Sequence, residues 1–332
     1  MKILFAGSPA IAIPSLRTVS EMERKGRGVV LAGLLTNPDR ARRHGHDEPT
    51  DVSAAAVALD ILRKESGLAP IHQLKPEKLD EQARNEVAAL APDILVSFAY
   101  GRIFGPRFLA LFPGGGINIH PSLLPKYRGA APIPAAIMAR DKETGICIQR
   151  LKEEMDAGDI LVSERFELSG RETTASLSET VSERAAALLE ELLADFISAL
   201  AVPQEGVPSY CRQIKKEDGI IDWAKSAVEI DAQIRAYTPW PLSFTSLGKD
   251  TLFMLEALPL GSAPAQAAGT QPCPPGTVLG TDREKGILIQ TGDGILAVSR
   301  LQWQAKKALD WKAFYNGVKN GARDFIGARL GE

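Results

Sequence analysis

The chain has 332 residues, 45% of them hydrophobic and 24% charged, which suits a globular protein of about two domains. Its formal net charge of −2 excludes a global basic field as the means of holding a nucleic acid. Residues 211–332 nevertheless carry 15 Lys+Arg against 13 Asp+Glu, which is +2 and leaves −4 for the residues before them. Cys147, Cys211 and Cys273 are widely spaced and form no C-x-x-C pair, which argues against a disulfide framework or zinc site and fits a reducing compartment. No apolar stretch approaches the roughly 20 residues of a membrane span, and the apolar run after Met1-Lys2 is too short for a signal peptide. The expectation is a cytoplasmic protein with no membrane partner.

Lys2 to Ala6 reads as a buried parallel strand, followed by Gly7-Ser8-Pro9 and a helix to about Lys25. Val29 to Leu35 is a second strand, Ala54 to Ser66 has helical character, and Asp93 to Phe98 is a third strand. Strands alternating with helices over short connections predict a Rossmann-like open parallel sheet with helices on both faces. The first turn lacks G-x-G-x-x-G, which disfavours a dinucleotide. Ligands of such sheets sit beyond the carboxyl ends of the strands. The turn at residues 7–9, the loop after Leu35, residues 98–101 and the stretch from Asn118 should therefore converge. Thr36 to Val52 is polar and has no hydrophobic period, and so reads as a mobile loop with three arginines against four acids. His44 and His46 have no further His or Cys nearby, and no metal is expected there.

The centre of the chain is Asn118-Ile119-His120-Pro121-Ser122-Leu123-Leu124-Pro125, ending a short apolar run. Residues two apart on a strand face the same way, and Pro121 ends the strand because it lacks a ladder donor. Asn118, a donor that does not titrate, thus lies beside His120, which can carry a proton near neutral pH. Asp156, in Met155-Asp156-Ala157-Gly158-Asp159 between paired strands at 146–151 and 160–168, is the candidate carboxylate. A histidine at a strand end is also compatible with a purely structural role. Leu177, Val181, Ala185, Leu188, Leu192 and Phe196 share one helical face. Residues 201–209 read as a linker. A helix from Asp222 through Tyr237 follows, and then strand-like runs at 251–258, 276–279, 286–290 and 294–298 predict a small antiparallel barrel. Pro259 to Pro275 should be a flexible loop within it.

Asn-Ile-His-Pro-Ser-Leu-Leu-Pro, then Tyr127-Arg128-Gly129 and Asp156-Ala157-Gly158-Asp159, resemble the formyltransferases that use 10-formyltetrahydrofolate. Residues 214–223, 234–241, 291–296 and 304–309 resemble, more narrowly, the methionyl-tRNA formyltransferases. The resemblance implies an α/β formyltransferase domain over 1–203, a linker over 204–212 and an OB-like barrel over 213–332 that helps hold tRNA. It implies transfer of the formyl group of 10-formyltetrahydrofolate, a co-substrate, to the α-amine of methionyl-initiator tRNA, by a monomer and without a metal. It places the folate against Phe98, Ala99, Tyr100, Gly101, Ser122, Leu123, Leu124 and Pro125. Arg40, Arg42, Arg43, Lys215, Lys216, Lys306 and Lys307 are its tRNA-contact candidates, although the acids around the three arginines depart from the family's strongly basic loop.

Formyl transfer develops an oxyanion on a tetrahedral carbon, where one well-placed donor is worth about 10²–10³ in rate. Asn118 suits that task, and His120 suits proton transfer in both directions. Asp156 could fix the imidazole tautomer, raise its proton affinity or order a water. An amino-sugar N-formyltransferase, a formyltetrahydrofolate hydrolase and an inert RNA-binding module remain the alternatives.

Overall fold

A computed structural model of the chain describes residues 1–40, 47–261, 273–320 and 325–332. Two compact units emerge: one of residues 1–132, 143–167 and 177–212, the other of 133–142, 168–176 and 213–332.

The strands and helices follow one another as β1 (Lys2–Ala6), α1 (Ile13–Arg24), β2 (Val30–Leu35), α2 (Asp51–Glu65), β3 (Gln73–Leu74), α3 (Glu81–Ala89), β4 (Ile94–Phe98), α4 (Pro106–Leu109) and β5 (Gly116–His120). Then come β6 (Arg128–Gly129), α5 (Pro132–Ala139), β7 (Glu143–Arg150), β8 (Ile160–Glu167), α6 (Thr174–Ala194) and β9 (Tyr210–Cys211). Seven strands make one sheet in the order β3-β2-β1-β4-β5-β7-β8. Its first five strands run parallel, while β7 runs antiparallel to β5 and β8 antiparallel to β7. The sheet is therefore mixed, its parallel half matching the expectation. β1 and β4 are buried at successive positions, so both faces of the sheet are covered there. On one side Leu4, Leu35, Leu74 and Leu95 pack with an aromatic row, Tyr100, Phe104, Phe108 and Phe112, whose successive ring centroids lie 5.3, 5.4 and 5.7 Å apart. Such pairs add about 0.5–1.5 kcal/mol each beyond their buried area.

The expected convergence at the carboxyl edge is present in the first unit. The Asn37 amide donates to Ser8 Oγ (2.9 Å) and to the Tyr100 carbonyl (3.0 Å), tying together three of the four segments. The fourth lies alongside, since Ser97 pairs with Asn118 across β4 and β5. Gly7 is needed there because a Cβ would come within 2.9 Å of the Phe98 carbonyl.

Several boundaries differ from the sequence expectation. The polar segment after Leu35 is shorter, because Thr50 Oγ1 accepts from the Ser53 N–H and starts α2 at Asp51. Of that segment, Arg40 and Glu48 bridge through their main chains, and residues 41–46 lie outside the described part. Phe196 lies beyond α6, and its ring meets the Arg150 guanidinium at 4.9 Å rather than extending the helix's apolar face. The stretch read as linker, 204–212, belongs to the first unit, where β9 pairs with β6 and Ser209 bonds to Pro125, Tyr127 and Arg128.

The second unit holds α7 (Ala227–Ala236), β10 (Ser243–Leu247), β11 (Asp250–Leu260), β12 (Val278–Asp282), β13 (Gly286–Gln290), β14 (Ile295–Trp303), β15 (Leu309–Asp310) and α8 (Trp311–Asn320). Its strands are antiparallel, in the order β10-β11-β14-β13-β12 with β15 beside β14. Leu252, Met254, Ile287, Ile289, Leu296 and Val298 share one core with Ile230 and Ile234 of α7 and Phe314 and Val318 of α8. The helix expected from Asp222 begins only at Ala227, where Ser226 and Glu229 form a reciprocal capping box. Trp223 instead enters the core, its indole N–H donating to Thr245 Oγ1 (3.0 Å). Pro259 and Leu260 complete β11, and most of the loop expected after them lies outside the described residues.

Candidate active site

Asn118 and His120 project from the carboxyl half of β5, as their spacing requires. Asp156 stands in the connection between β7 and β8, at φ 52°. The structure brings the three together. Asp156 Oδ1 lies 3.4 Å from Asn118 Nδ2 and 3.5 Å from His120 Nδ1, while Oδ2 accepts from the Gly129 N–H at 2.8 Å. The other imidazole nitrogen, His120 Nε2, sits 2.9 Å from the Tyr127 carbonyl.

A carbonyl can only accept. The neutral ring therefore carries its hydrogen on Nε2 and leaves Nδ1 bare toward Asp156, so the tautomer is set by Tyr127. Burial holds the imidazole below its ordinary protonation range, against the upward pull of the Asp156 charge and the Tyr127 carbonyl. A neutral ring with an open Nδ1 lone pair beside a carboxylate is suited to take up a proton. The Asn118 amide has a second N–H beyond the one facing Asp156.

Two glutamines, Gln149 buried and Gln204 half-buried, were not anticipated from the sequence. Gln149 lies opposite Asn118 in the β5–β7 ladder; its Nε2 donates to Asp156 Oδ1 (3.0 Å) and its Oε1 accepts from the Gly158 N–H (3.0 Å). Gln204 donates to the carbonyls of Asp156 and Gly158, both at 2.8 Å. A signal for Gln149 was present: it is the polar residue that interrupts the apolar Ile146-Cys147-Ile148 run, two places after Cys147, which pairs with His120. Gln204 had no comparable signal, because only the folded chain brings it back over the site. Arg128 is engaged internally, donating to Gln204 Oε1 (2.8 Å) and pairing with Glu154 (3.2 Å).

The folate-contact candidates divide by exposure. Ala99 and Gly101, at φ 52° and 82°, leave β4 on an exposed turn, and Ile103 just beyond is 72% exposed. The side chains of Phe98 and Tyr100 are buried in the sheet's packing, so these two residues can offer a ligand main-chain groups only. Ser122 is likewise buried and donates to the Lys126 carbonyl (2.5 Å). Leu123 is half-buried, and Leu124 and Pro125 are buried. Burial pushes the Cys147 thiol up to about 11, which leaves it without nucleophilic character at neutral pH.

Arg40 is exposed, and Arg42 and Arg43 lie outside the described residues. In the second unit Lys215 and Lys216 are exposed at a helical turn where the Lys215 N–H meets Asp218 Oδ2 (2.7 Å). Lys306 and Lys307 line a cavity of about 750 Å³ with Lys249, Trp303 and Phe314. Among the described residues no group of three or more His, Cys, Asp or Glu is placed to hold a metal ion, and no helix is long and apolar enough to cross a membrane.

A two-unit chain with a carboxamide, an imidazole and a carboxylate gathered at a sheet edge defines an acyl-type transferase, and the chain belongs to the formyl transferase family. Residues 1–193 match the model "Formyl transferase", and residues 213–319 match "Formyl transferase, C-terminal domain". Within that family it is 48% identical to the methionyl-tRNA formyltransferase of Treponema denticola over 96% of this chain and 97% of that one. The methionyl-tRNA formyltransferase of Treponema pallidum is 43% identical over 96% of each. Two solved structures share the fold. One is an N-formyltransferase from Helicobacter canadensis in complex with folinic acid and dTDP-3-aminofucose, with a TM-score of 0.61, 18% identity and coverage of 90% of this chain and 99% of that one. The other is HypX from Aquifex aeolicus in complex with tetrahydrofolic acid, with a TM-score of 0.61 and 17% identity, covering 97% of this chain and 48% of that one.

Proposed function

We propose that this chain transfers the formyl group of 10-formyltetrahydrofolate to the α-amine of methionyl-initiator tRNA, supplying formylmethionyl-tRNA for translation initiation. The observation that carries this reading is similarity to a methionyl-tRNA formyltransferase at 48% identity over 97% of that protein, together with three complementary side chains at the carboxyl edge of the sheet. The amino-sugar alternative shares the fold at 18% identity, so the fold alone does not separate the two. The full-length likeness favours the tRNA.

The folate supplies an activated formyl group on a nitrogen leaving group. Asn118 donates a hydrogen bond to the oxyanion that develops on the formyl oxygen. His120 takes the proton of the attacking amine on Nδ1 and returns it to the departing nitrogen. Asp156 receives the Nδ1–H of the transient imidazolium, stabilising the charge as it forms. The exposed turn at residues 99–103 and the wall at Leu123 hold the ring system. Catalysis belongs to the unit built mainly on residues 1–212, and the lysines of the other unit hold tRNA phosphates.

The test is a direct competition. Purified protein is incubated with 10-formyltetrahydrofolate and either methionyl-initiator tRNA or an amino-sugar nucleotide. Formylmethionyl-tRNA as the product supports the reading, whereas a formylated sugar, or formate released at the same rate without any amine, defeats it.

A further inference from the structure

We infer that Gln149 and Gln204 are positioning residues for the proposed transfer: they hold the Asp156 loop so that Oδ1 faces His120 Nδ1. This rests on the functional reading above and adds the residues that set the geometry of its proton-transfer pair.

Because Nε2 is committed to the Tyr127 carbonyl, only Nδ1 is left to exchange a proton. Its approach to Asp156 Oδ1, 3.5 Å, becomes an N–H···O bond once the ring is charged. The location of Oδ1 therefore governs how readily His120 accepts a proton. That location is fixed by the N–H groups that reach the carboxylate, from Gly129, Asn118 and Gln149. Among the side-chain amides at this oxygen, Gln149 makes the shorter bond, 3.0 Å against 3.4 Å for Asn118. Gln149 is 2% exposed and is itself fixed by the Gly158 N–H on its Oε1. One carboxamide thus pins both the carboxylate and the main chain two residues further on. Gly158 can follow that path because it has no side chain; a Cβ there would lie 1.7 Å from the Arg150 carbonyl.

Gln204 holds the same loop and also touches Gln149, its Nε2 donating to Gln149 Oε1 at 3.3 Å. Its Nε2 reaches the Asp156 and Gly158 carbonyls, and its Oε1 accepts from Arg128 Nε (3.2 Å) and Nη2 (2.8 Å). Arg128 in turn pairs with Glu154 at the start of the loop. Neither glutamine titrates, so neither moves a proton; both act through Asp156.

The test pairs two substitutions at position 149. Gln149→Glu keeps the acceptor for the Gly158 N–H, and when protonated its O–H replaces the lost amide donor to Asp156. Its kcat relative to the parent should approach one at low pH and fall about 10- to 100-fold as the pH rises, the loss typical of a small misplacement. Gln149→Met has no new group to titrate, so above the His120 titration its loss should be equally large and constant with pH. In both, KM for tRNA and folate should stay close to the parent's. A rate ratio for Gln149→Glu that does not vary with pH, or parental kcat in both variants, overturns the inference. A second readout needs no substrate: the His120 imidazole is followed by ¹⁵N NMR through a pH titration of the ligand-free protein. In Gln149→Met, where the carboxylate is free to turn away from Nδ1, the His120 midpoint should move down. An unchanged or raised midpoint overturns the inference even if the functional reading stands. Conversely, a parent protein that makes no formylmethionyl-tRNA defeats the functional reading while the ring titration still decides the role of Gln149. Should the position 149 variants fail to fold, Gln204→Met, at a half-buried site, decides by the same two measurements, and parental values in both overturn the inference.

Discussion

His120 Nε2 and the main-chain carbonyl of Tyr127 are 2.9 Å apart, and this one bond orients the imidazole. Tyr127 itself sits at φ 57°, and its N–H donates to Ser209 Oγ at 2.9 Å. A residue 82 positions later in the chain thus secures the peptide that secures the ring. Ser209→Ala should loosen that peptide. We expect a fall in kcat with little change in thermal stability, because Ser209 is only partly buried. Steady-state kinetics beside thermal denaturation would check it, and a variant with parental kcat would detach Ser209 from the site.

Asn118→Ala and His120→Ala should each lower kcat far more than they weaken folate binding, since both groups act on the transition state. For Asn118 the loss should be about 10²-fold or more. Turnover assays alongside fluorescence titration with a folate measure the two effects separately. Near-parental turnover in either variant would remove that residue from the mechanism.

Asp156→Asn tests how the carboxylate is held. Asn tolerates the left-handed conformation, so the main chain need not change. The N–H groups of Gly129, Asn118 and Gln149 all point at the carboxylate oxygens, however, and an amide nitrogen placed among them leaves at least one donor unmet. A loss of about 1–3 kcal/mol in stability should accompany a large fall in kcat. Urea denaturation and kinetics report the two together. Parental stability would mean that the amide had found another arrangement.

The pH dependence of stability follows from the buried ring. The unfolded chain protonates His120 near pH 6.5, whereas burial holds the folded ring below that value. Between the two the unfolded state binds more protons, so the contribution of His120 is fully present above about pH 6.5 and is lost as the pH falls toward the folded value. His120→Gln should flatten the decline in denaturation free energy between about pH 7 and 5. An identical slope in the variant would assign the decline to other groups.

Salt dependence tests the second unit. If Lys306 and Lys307, exposed at the mouth of their cavity, each meet one phosphate, replacing both with Ala should reduce the salt slope of tRNA binding by roughly 0.7–0.9 for each phosphate left without its lysine. Filter binding at several salt concentrations would show it. An unchanged slope would put the tRNA surface elsewhere.

The residues that can be read from the sequence are those whose chemistry shows in local pattern. Asn118 and His120 are legible because strand alternation puts them on one face, and β1, β2 and β4 because mostly apolar runs between turns have few other fates. The start of α7 is harder to place because Trp223 resembles a helix residue in its local pattern, whereas tertiary packing draws it into the core ahead of the Ser226 cap. Tyr100 suggests a ligand contact by its place at a strand end, yet its spacing of four from Phe104 makes it the first member of an aromatic row. The tautomer of His120 and the grip of Gln204 leave no trace in the sequence, since each depends on a main-chain carbonyl whose direction only the folded chain fixes.

The return of residues 204–211 over the site has a consequence for synthesis of the chain. All three proposed catalytic side chains have been added once the ribosome passes position 156. Tyr127, Gly129 and Gln149 are also in place by then, but not the later supports: Gln204 follows Asp156 by 48 residues, and β9 must still pair with β6. At about 5–20 residues per second, several seconds separate the synthesis of the reacting groups from that of these later supports. A nascent N-terminal sheet thus has its reacting groups and their first partners in place before the strap that holds the Asp156 loop through Gln204 is made.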